Sequence, residues 1–168
     1  MFFFCVKEVN FLNFSTIIGI AFSATLIYAA VCDYKTLEIP DKVHIIILIL
    51  GLANIIYSGF TVSRFLMALL GLAIIFVPFF IASIIGFSMG VGDIKLISSC
   101  CFFYVSSCGF MYGLSGVLFG AALGWIVVLI VHPIYAKIKN IKLNAPFAQV
   151  PYLAIGFISI NVLINFLR

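Results

Sequence analysis

The sequence predicts an all-α membrane protein, a polytopic bundle of about six transmembrane helices forming a single domain over residues 1–168. Of the 168 residues, 65% are hydrophobic and only 8% are charged, and the mean hydropathy is +1.35. Such a composition leaves too little polar surface for a water-soluble protein. Runs such as "VHIIILILGLANII" are apolar at nearly every position, whereas the strands of a membrane barrel alternate apolar and polar residues. Together these observations favour membrane-spanning helices.

Each helix is predicted where an apolar run approaches the roughly 20 residues that a bilayer core requires. The sparse charges divide the chain into six such runs, at 11–31, 43–60, 65–86, 94–110, 114–135 and 151–167. In the fifth run, Gly116, Gly120 and Gly124 recur at every fourth position. This spacing predicts a face of small residues that allows close contact with another helix.

The first run has a second interpretation as a signal peptide, because "YAAVC" offers an Ala-x-Ala-like ending before a cysteine. However, the run is long for the apolar core of a signal peptide, and Val31 is bulky for the residue before a lipidated cysteine. A spanning helix is the better interpretation.

The cysteines predict neither a disulfide framework nor a metal site. They lie at positions 5, 32, 100, 101 and 108, without a CxxC motif or a histidine at ligand spacing. We therefore expect no metal and no other cofactor, and we expect these cysteines to pack as small apolar residues.

Lysines predict the orientation of the bundle, since basic residues in short loops favour the cytoplasmic side. With the N-terminus outside, the inner loops 32–42, 87–95 and 136–150 carry six lysines, against three basic residues outside. We expect a protein of the cytoplasmic (inner) membrane. Its net charge of +4 then reflects this topology and contact with anionic lipid, and not nucleic-acid binding.

Four of the five acids fall in these inner loops. Asp33, Glu38 and Asp41 lie in the first loop, where Asp33 directly follows the first span, and Asp93 opens the fourth span. Two carboxyl groups at the same depth on neighbouring helices can hold a single proton between them. An ionised and a protonated carboxyl group together activate water and polarise a carbonyl, as in aspartic proteases.

Glycines flank the second of these acids in "GVGDIKL". Gly90 and Gly92 permit positive φ and close approach of the backbone. We expect a tight turn before the fourth helix, at a site that admits an extended peptide.

The same stretch carries a resemblance to a known family. "GVGDIKL" matches the GxGD signature of membrane-embedded aspartyl proteases, and with "DYKTLEIPD" upstream it resembles the type IV prepilin peptidases. "APFAQVPYLAIG", Ala145 to Gly156, is similar to the segment before that family's last helix. The resemblance implies that Asp33 and Asp93 are catalytic, supported by Gly90, Gly92 and Lys95.

The resemblance also implies the reaction. Such enzymes cleave the basic leader from prepilin or pseudopilin precursors at the cytoplasmic membrane face. Larger members carry a cytosolic insertion, often with paired CxxC motifs, and also N-methylate the product. This chain lacks those cysteines, so it resembles the short, peptidase-only branch.

Alternatives to this function remain open at the level of sequence. Archaeal preflagellin peptidases share the pair of aspartates. A small proton-coupled transporter also keeps carboxylates in the membrane, but near its midplane and often within inverted repeats. A purely structural membrane subunit would tolerate loss of both aspartates.

Other polar residues near the pair have more than one interpretation. We expect Asp41 to cap the second helix and Glu38 to be solvated. Lys95 either anchors its helix at the headgroups or neutralises an acid of the pair or of the substrate. His44 and His132, toward the inner helix ends, are either proton relays or simply hydrogen-bonded.

Overall fold

The computed structural model describes residues 8–86, 90–139 and 147–167, and these residues form a bundle of six α-helices. The helices are α1 (Glu8–Thr36), α2 (Asp41–Tyr57), α3 (Val62–Ile84), α4 (Val91–Cys108), α5 (Phe110–Lys139) and α6 (Val150–Leu167). The predicted helical membrane bundle is confirmed, with one helix for each of the six apolar runs.

Four segments of these helices are long and apolar enough to cross a membrane. They are Phe14–Thr36 in α1, Val62–Ile84, Val91–Cys108 and Phe110–Ile138 in α5. The apolar part of α6, Val150–Asn165, is shorter, and α2 has 17 residues. Large apolar side chains such as Ile84 and Leu129 are more than 70% exposed on the outside of the bundle. Because a soluble protein rarely exposes so much apolar surface, these faces are suited to lipid, and the chain is an integral membrane protein.

Helix α4 is the central element of the bundle. It packs against α2, α3 and α5, and the stretch from Leu96 to Val105 is buried throughout. Helices α1, α2, α5 and α6 complete the bundle through the pairs α1–α2, α1–α6 and α5–α6. The ring of Phe22 in α1 stacks on that of Phe103 in α4, with centroids 4.0 Å apart. This contact fixes α1 beside the central helix.

Glycines bring α5 and α6 together, as their spacing predicts. A Cβ atom at Gly120 would lie 2.6 Å from the ring of Phe157, and one at Gly124 would lie 2.8 Å from Cα of Leu153. Gly116 has more room, with its nearest neighbour, Ile160, at 3.5 Å. Only glycine allows the two helices to approach so closely at Gly120 and Gly124.

Most helix boundaries differ by a few residues from those expected, and two of these differences concern the acids. Helix α1 continues to Thr36 instead of ending at residue 31, and α4 begins at Val91 instead of residue 94. Polar residues end an apolar run but do not end a helix, and α1 stops only where Leu37 adopts a left-handed φ of 56°. Asp33 is therefore in the last turns of α1, not after it, and Asp93 lies in the first turn of α4.

Candidate active site

A cavity of about 340 Å³ opens where the C-terminal end of α1 meets the first turns of α2 and α4. The linker at 37–40 between α1 and α2 forms part of its wall. All five residues expected at the site, Asp33, Gly90, Gly92, Asp93 and Lys95, line this cavity. The structure thus brings together residues that lie some 60 positions apart in the sequence.

Asp33 is held by the beginning of a third helix. Its side chain is buried, with 6% of the residue exposed, and its Oδ2 atom accepts a 2.9 Å hydrogen bond from the backbone N–H of Val150, the first residue of α6. The backbone of Gln149 also donates to this carboxylate. The first N–H groups of a helix have no partner within the helix and carry partial positive charge. The start of α6 therefore both orients and stabilises the Asp33 carboxylate.

Asp93 is held by its own helix. It is the third residue of α4, and its carboxylate accepts a hydrogen bond from the backbone of Gly90, the N-cap residue. This is the return contact of a capping box, in which the acid at the third position reaches back to the N-cap. The carboxylate is also close enough to Asp33 for their negative charges to repel each other. Two carboxyl groups with different supports thus face a common space.

The two glycines serve the site by their small size and not by an unusual backbone. Gly90 has a φ of −63° and Gly92 lies within α4, so the expectation of positive φ is wrong for both. A Cβ atom at Gly90 would lie 3.1 Å from Oδ2 of Asp93, and one at Gly92 would lie 3.3 Å from Cδ1 of Ile39. Close approach, the other role expected of them, is what the structure shows.

Asp41 and Lys95 pair with each other at the rim of the cavity. Nζ of Lys95 lies 3.0 Å from Oδ1 of Asp41, and their side chains are 44% and 78% exposed. This hydrogen bond and the Lys95 charge hold the pKa of Asp41 below its usual range. The expectation that Asp41 caps α2 is wrong, because Pro40 is the N-cap residue and no side chain caps the helix. Asp41 instead begins the helix and pairs across to α4.

The two histidines have different surroundings. His44 lines the cavity with 7% of its surface exposed, and neither ring nitrogen has a hydrogen-bond partner among the described residues. His132 on α5 is not part of the cavity wall, and its ring stacks on Phe147 with centroids 3.9 Å apart. A proton-relay role for either residue stays a prediction.

The N–H groups at Gln149 and Val150 are the part of the site that the sequence did not reveal. A helix beginning near residue 151 was expected, and a helix start always presents unpaired N–H groups. Nothing in the sequence shows that these groups meet Asp33, since that contact depends on how α1 and α6 pack. They fall in the stretch Ala145 to Gly156 that resembles the prepilin peptidases, of which residues 145–146 lie outside the described part.

Within the described ranges, no group of three or more histidine, cysteine, aspartate or glutamate residues could hold a metal ion. Cys32, beside Asp33, is half-buried and has a free thiol. That the site works without a metal or other cofactor stays a prediction.

Comparison with known proteins identifies a family that this chain matches. Residues 20–129 match the type IV leader peptidase family. The matched range covers more than half of the chain and contains every residue that lines the cavity. No curated protein and no solved structure matches the chain.

Proposed function

The chain belongs to the type IV leader peptidase family, and we propose that it is the aspartyl endopeptidase that cleaves the basic leader from prepilin or pseudopilin precursors. Its membership makes it a protease of the leader peptidase type, embedded in a membrane through its apolar helices. The observation that carries the proposal is the position of Asp33 and Asp93, which come from two helices and line one cavity. We assign these two residues as the catalytic pair.

The proposed reaction follows from two carboxyl groups that share one proton. The ionised group takes a proton from a water molecule, and the resulting hydroxide attacks the carbonyl carbon of the scissile peptide bond. The protonated group donates its proton to the carbonyl oxygen, so a neutral diol forms. As the diol collapses and the C–N bond breaks, the first carboxyl group gives its proton to the amine nitrogen, and a hydroxyl proton of the diol returns to the second carboxylate, so that the acid product forms and the shared proton is restored.

The supports of the two carboxylates suit different roles in this scheme. Burial disfavours the ionised form of Asp33, and the backbone hydrogen bonds that it accepts from the start of α6 offset part of that cost. Asp93 accepts a backbone hydrogen bond from Gly90, and the negative charge of Asp33 disfavours a second negative charge on Asp93. We therefore propose that Asp33 activates the water and that Asp93 carries the shared proton when the substrate binds.

We propose that residues at the rim of the cavity help to select the substrate. Glu38 is an exposed acid on the cavity wall, where it can attract a basic leader. Lipid-facing surfaces around the bundle allow the apolar segment of a membrane-inserted precursor to approach from the side. The distribution of lysines supports a cavity that faces the cytoplasm.

Two features bear on the alternative functions. Asp33 and Asp93 lie at helix ends, at one end of the bundle, whereas a proton-coupled transporter is expected to keep its carboxylates near the midplane. The family match likewise favours proteolysis. A preflagellin peptidase would use the same pair of aspartates, so only the substrate separates that function from prepilin processing.

Co-expression with a panel of precursors tests the proposal. The panel consists of a type IV prepilin, a pseudopilin and a preflagellin, each with an epitope tag after the cleavage site. We expect a shortened prepilin or pseudopilin that depends on this protein, with its new N-terminus defined by mass spectrometry. Cleavage of the preflagellin alone would assign the protein to that pathway, and an unchanged panel would contradict the proposed peptidase.

A further inference from the structure

His44 is a buried polar group without a protein partner. It lies in the first turns of α2, is 7% exposed, and neither Nδ1 nor Nε2 makes a hydrogen bond within the described part of the chain. Buried polar groups in proteins are nearly always hydrogen-bonded, so an exception requires an explanation. His44 belongs to the wall of the cavity that holds Asp33 and Asp93. Its missing partner can therefore come from whatever occupies that cavity.

Asn54 on the same helix shows what a structural polar residue looks like in this bundle. It is 8% exposed, about as buried as His44, and its amide donates a 2.6 Å hydrogen bond to Oγ of Ser107 on α4. A polar side chain that is buried to this extent can thus still have a hydrogen-bond partner within this protein. His44 differs in that both of its buried ring nitrogens lack a hydrogen-bond partner among the described residues.

We propose that His44 is a substrate-binding residue that hydrogen-bonds the peptide backbone of the precursor next to the scissile bond. This inference rests on the proposed function. A neutral imidazole has one donor and one acceptor nitrogen, which match the C=O and N–H groups of an extended peptide. Such a peptide must lie within reach of both aspartates to be cleaved, and His44 lines the same cavity on the adjacent α2. It binds the backbone and does not exchange protons with the reacting atoms.

The test compares His44→Leu with wild-type protein on synthetic precursor peptides. Each peptide carries a single amide-to-ester replacement, which removes one backbone N–H, at a position within three residues of the cleavage site. For wild-type protein, one position is expected to lower kcat/KM about 10-fold or more, because the His44 acceptor loses its partner. With His44→Leu, kcat/KM for the all-amide peptide should already be lower than the wild-type value by about that factor. The same ester replacement should then lower kcat/KM of the variant little further.

Asn54→Leu is the matched control, since it removes an equally buried polar group that has a protein partner. It should lower thermal stability while leaving the ester profile, meaning the effect on kcat/KM of an ester at each position, the same as in wild type. His44→Leu should be at least as stable as wild type, because it removes an unsatisfied buried group. If His44→Leu does not insert, His44→Ala is used with the same peptides.

The outcomes separate this inference from the proposed function. Wild-type kcat/KM in the His44 variant, or a loss that is independent of every ester position, would overturn the binding role of His44 alone. A destabilised variant with an unchanged ester profile would do the same, since it would show a structural role. Failure of wild-type protein to cleave any precursor peptide would overturn both proposals.

Discussion

The backbone N–H of Val150 donates a 2.9 Å hydrogen bond to Oδ2 of Asp33, joining the first residue of α6 to the end of α1 across 117 positions of sequence. Through this contact, the last helix of the chain holds an acid that belongs to the first. The geometry of the aspartate pair therefore depends on the α1–α6 packing as well as on the two segments that contain the acids.

Removal of that N–H group should impair cleavage. Val150→Pro deletes the donor, and proline is well tolerated at the first position of a helix. Because a hydrogen bond to a charged group is worth about 1.5–3 kcal/mol, we expect cleavage to fall roughly 10- to 100-fold. Val150→Ala is the control, since it trims the same buried side chain but keeps the N–H. Equal activity of the two variants would show that this bond is unimportant.

The Asp41–Lys95 ion pair should make stability depend on pH. Lys95 lowers the pKa of Asp41 in the folded protein, so the pair stabilises the fold above the ordinary pKa of aspartate. That contribution is lost as the pH falls through the lowered pKa. The melting temperature of Asp41→Asn should thus lie slightly below that of wild type at neutral pH and converge with it in acid. Both side chains are well exposed, so added salt should also reduce the difference. A gap that widens in acid would contradict this assignment.

The contact between α5 and α6 should not tolerate a larger residue at Gly156. A Cβ atom there would overlap the carbonyl oxygen of Gly120, which is backbone and cannot move aside. We expect Gly156→Ala to destabilise the protein by about 1–3 kcal/mol, as overpacking typically does. Gly116→Ala is the comparison, since its Cβ would make only ordinary contacts. Thermal unfolding in detergent measures both, and equal melting temperatures would refute the packing argument.

The peptidase should not depend on a metal or on a thiol. The proposed chemistry needs only the two carboxyl groups, so cleavage should survive EDTA. A bulky thiol reagent is expected to block the wild-type enzyme by occupying space at Cys32, beside Asp33, and Cys32→Ser should stay active and resist the reagent. Strong inhibition by EDTA, or an inactive but correctly inserted Cys32→Ser, would show that the two-aspartate scheme is incomplete.

Local sequence patterns predicted much of the fold and part of the site. Apolar runs marked all six helices because burial in lipid requires them, and the spacing of Gly120 and Gly124 predicted a close helix pair. The boundaries around Asp33 and Asp93 were wrong, since a polar residue ends an apolar run without ending the helix. The Val150–Asp33 bond and the Asp41–Lys95 pair could not be predicted, because both depend on which helices become neighbours.

The measurement that tests the central claim most directly is cleavage of a purified precursor by three matched variants. Asp33→Asn, Asp93→Asn and Asp41→Asn each replace one carboxyl group by an amide with almost no change in shape, and size-exclusion profiles confirm insertion and folding. We predict that Asp33→Asn and Asp93→Asn abolish cleavage, whereas Asp41→Asn remains active because its exposed carboxylate pairs with Lys95. Full activity of Asp33→Asn together with loss in Asp41→Asn would contradict the account, since it would make Asp41 the partner of Asp93.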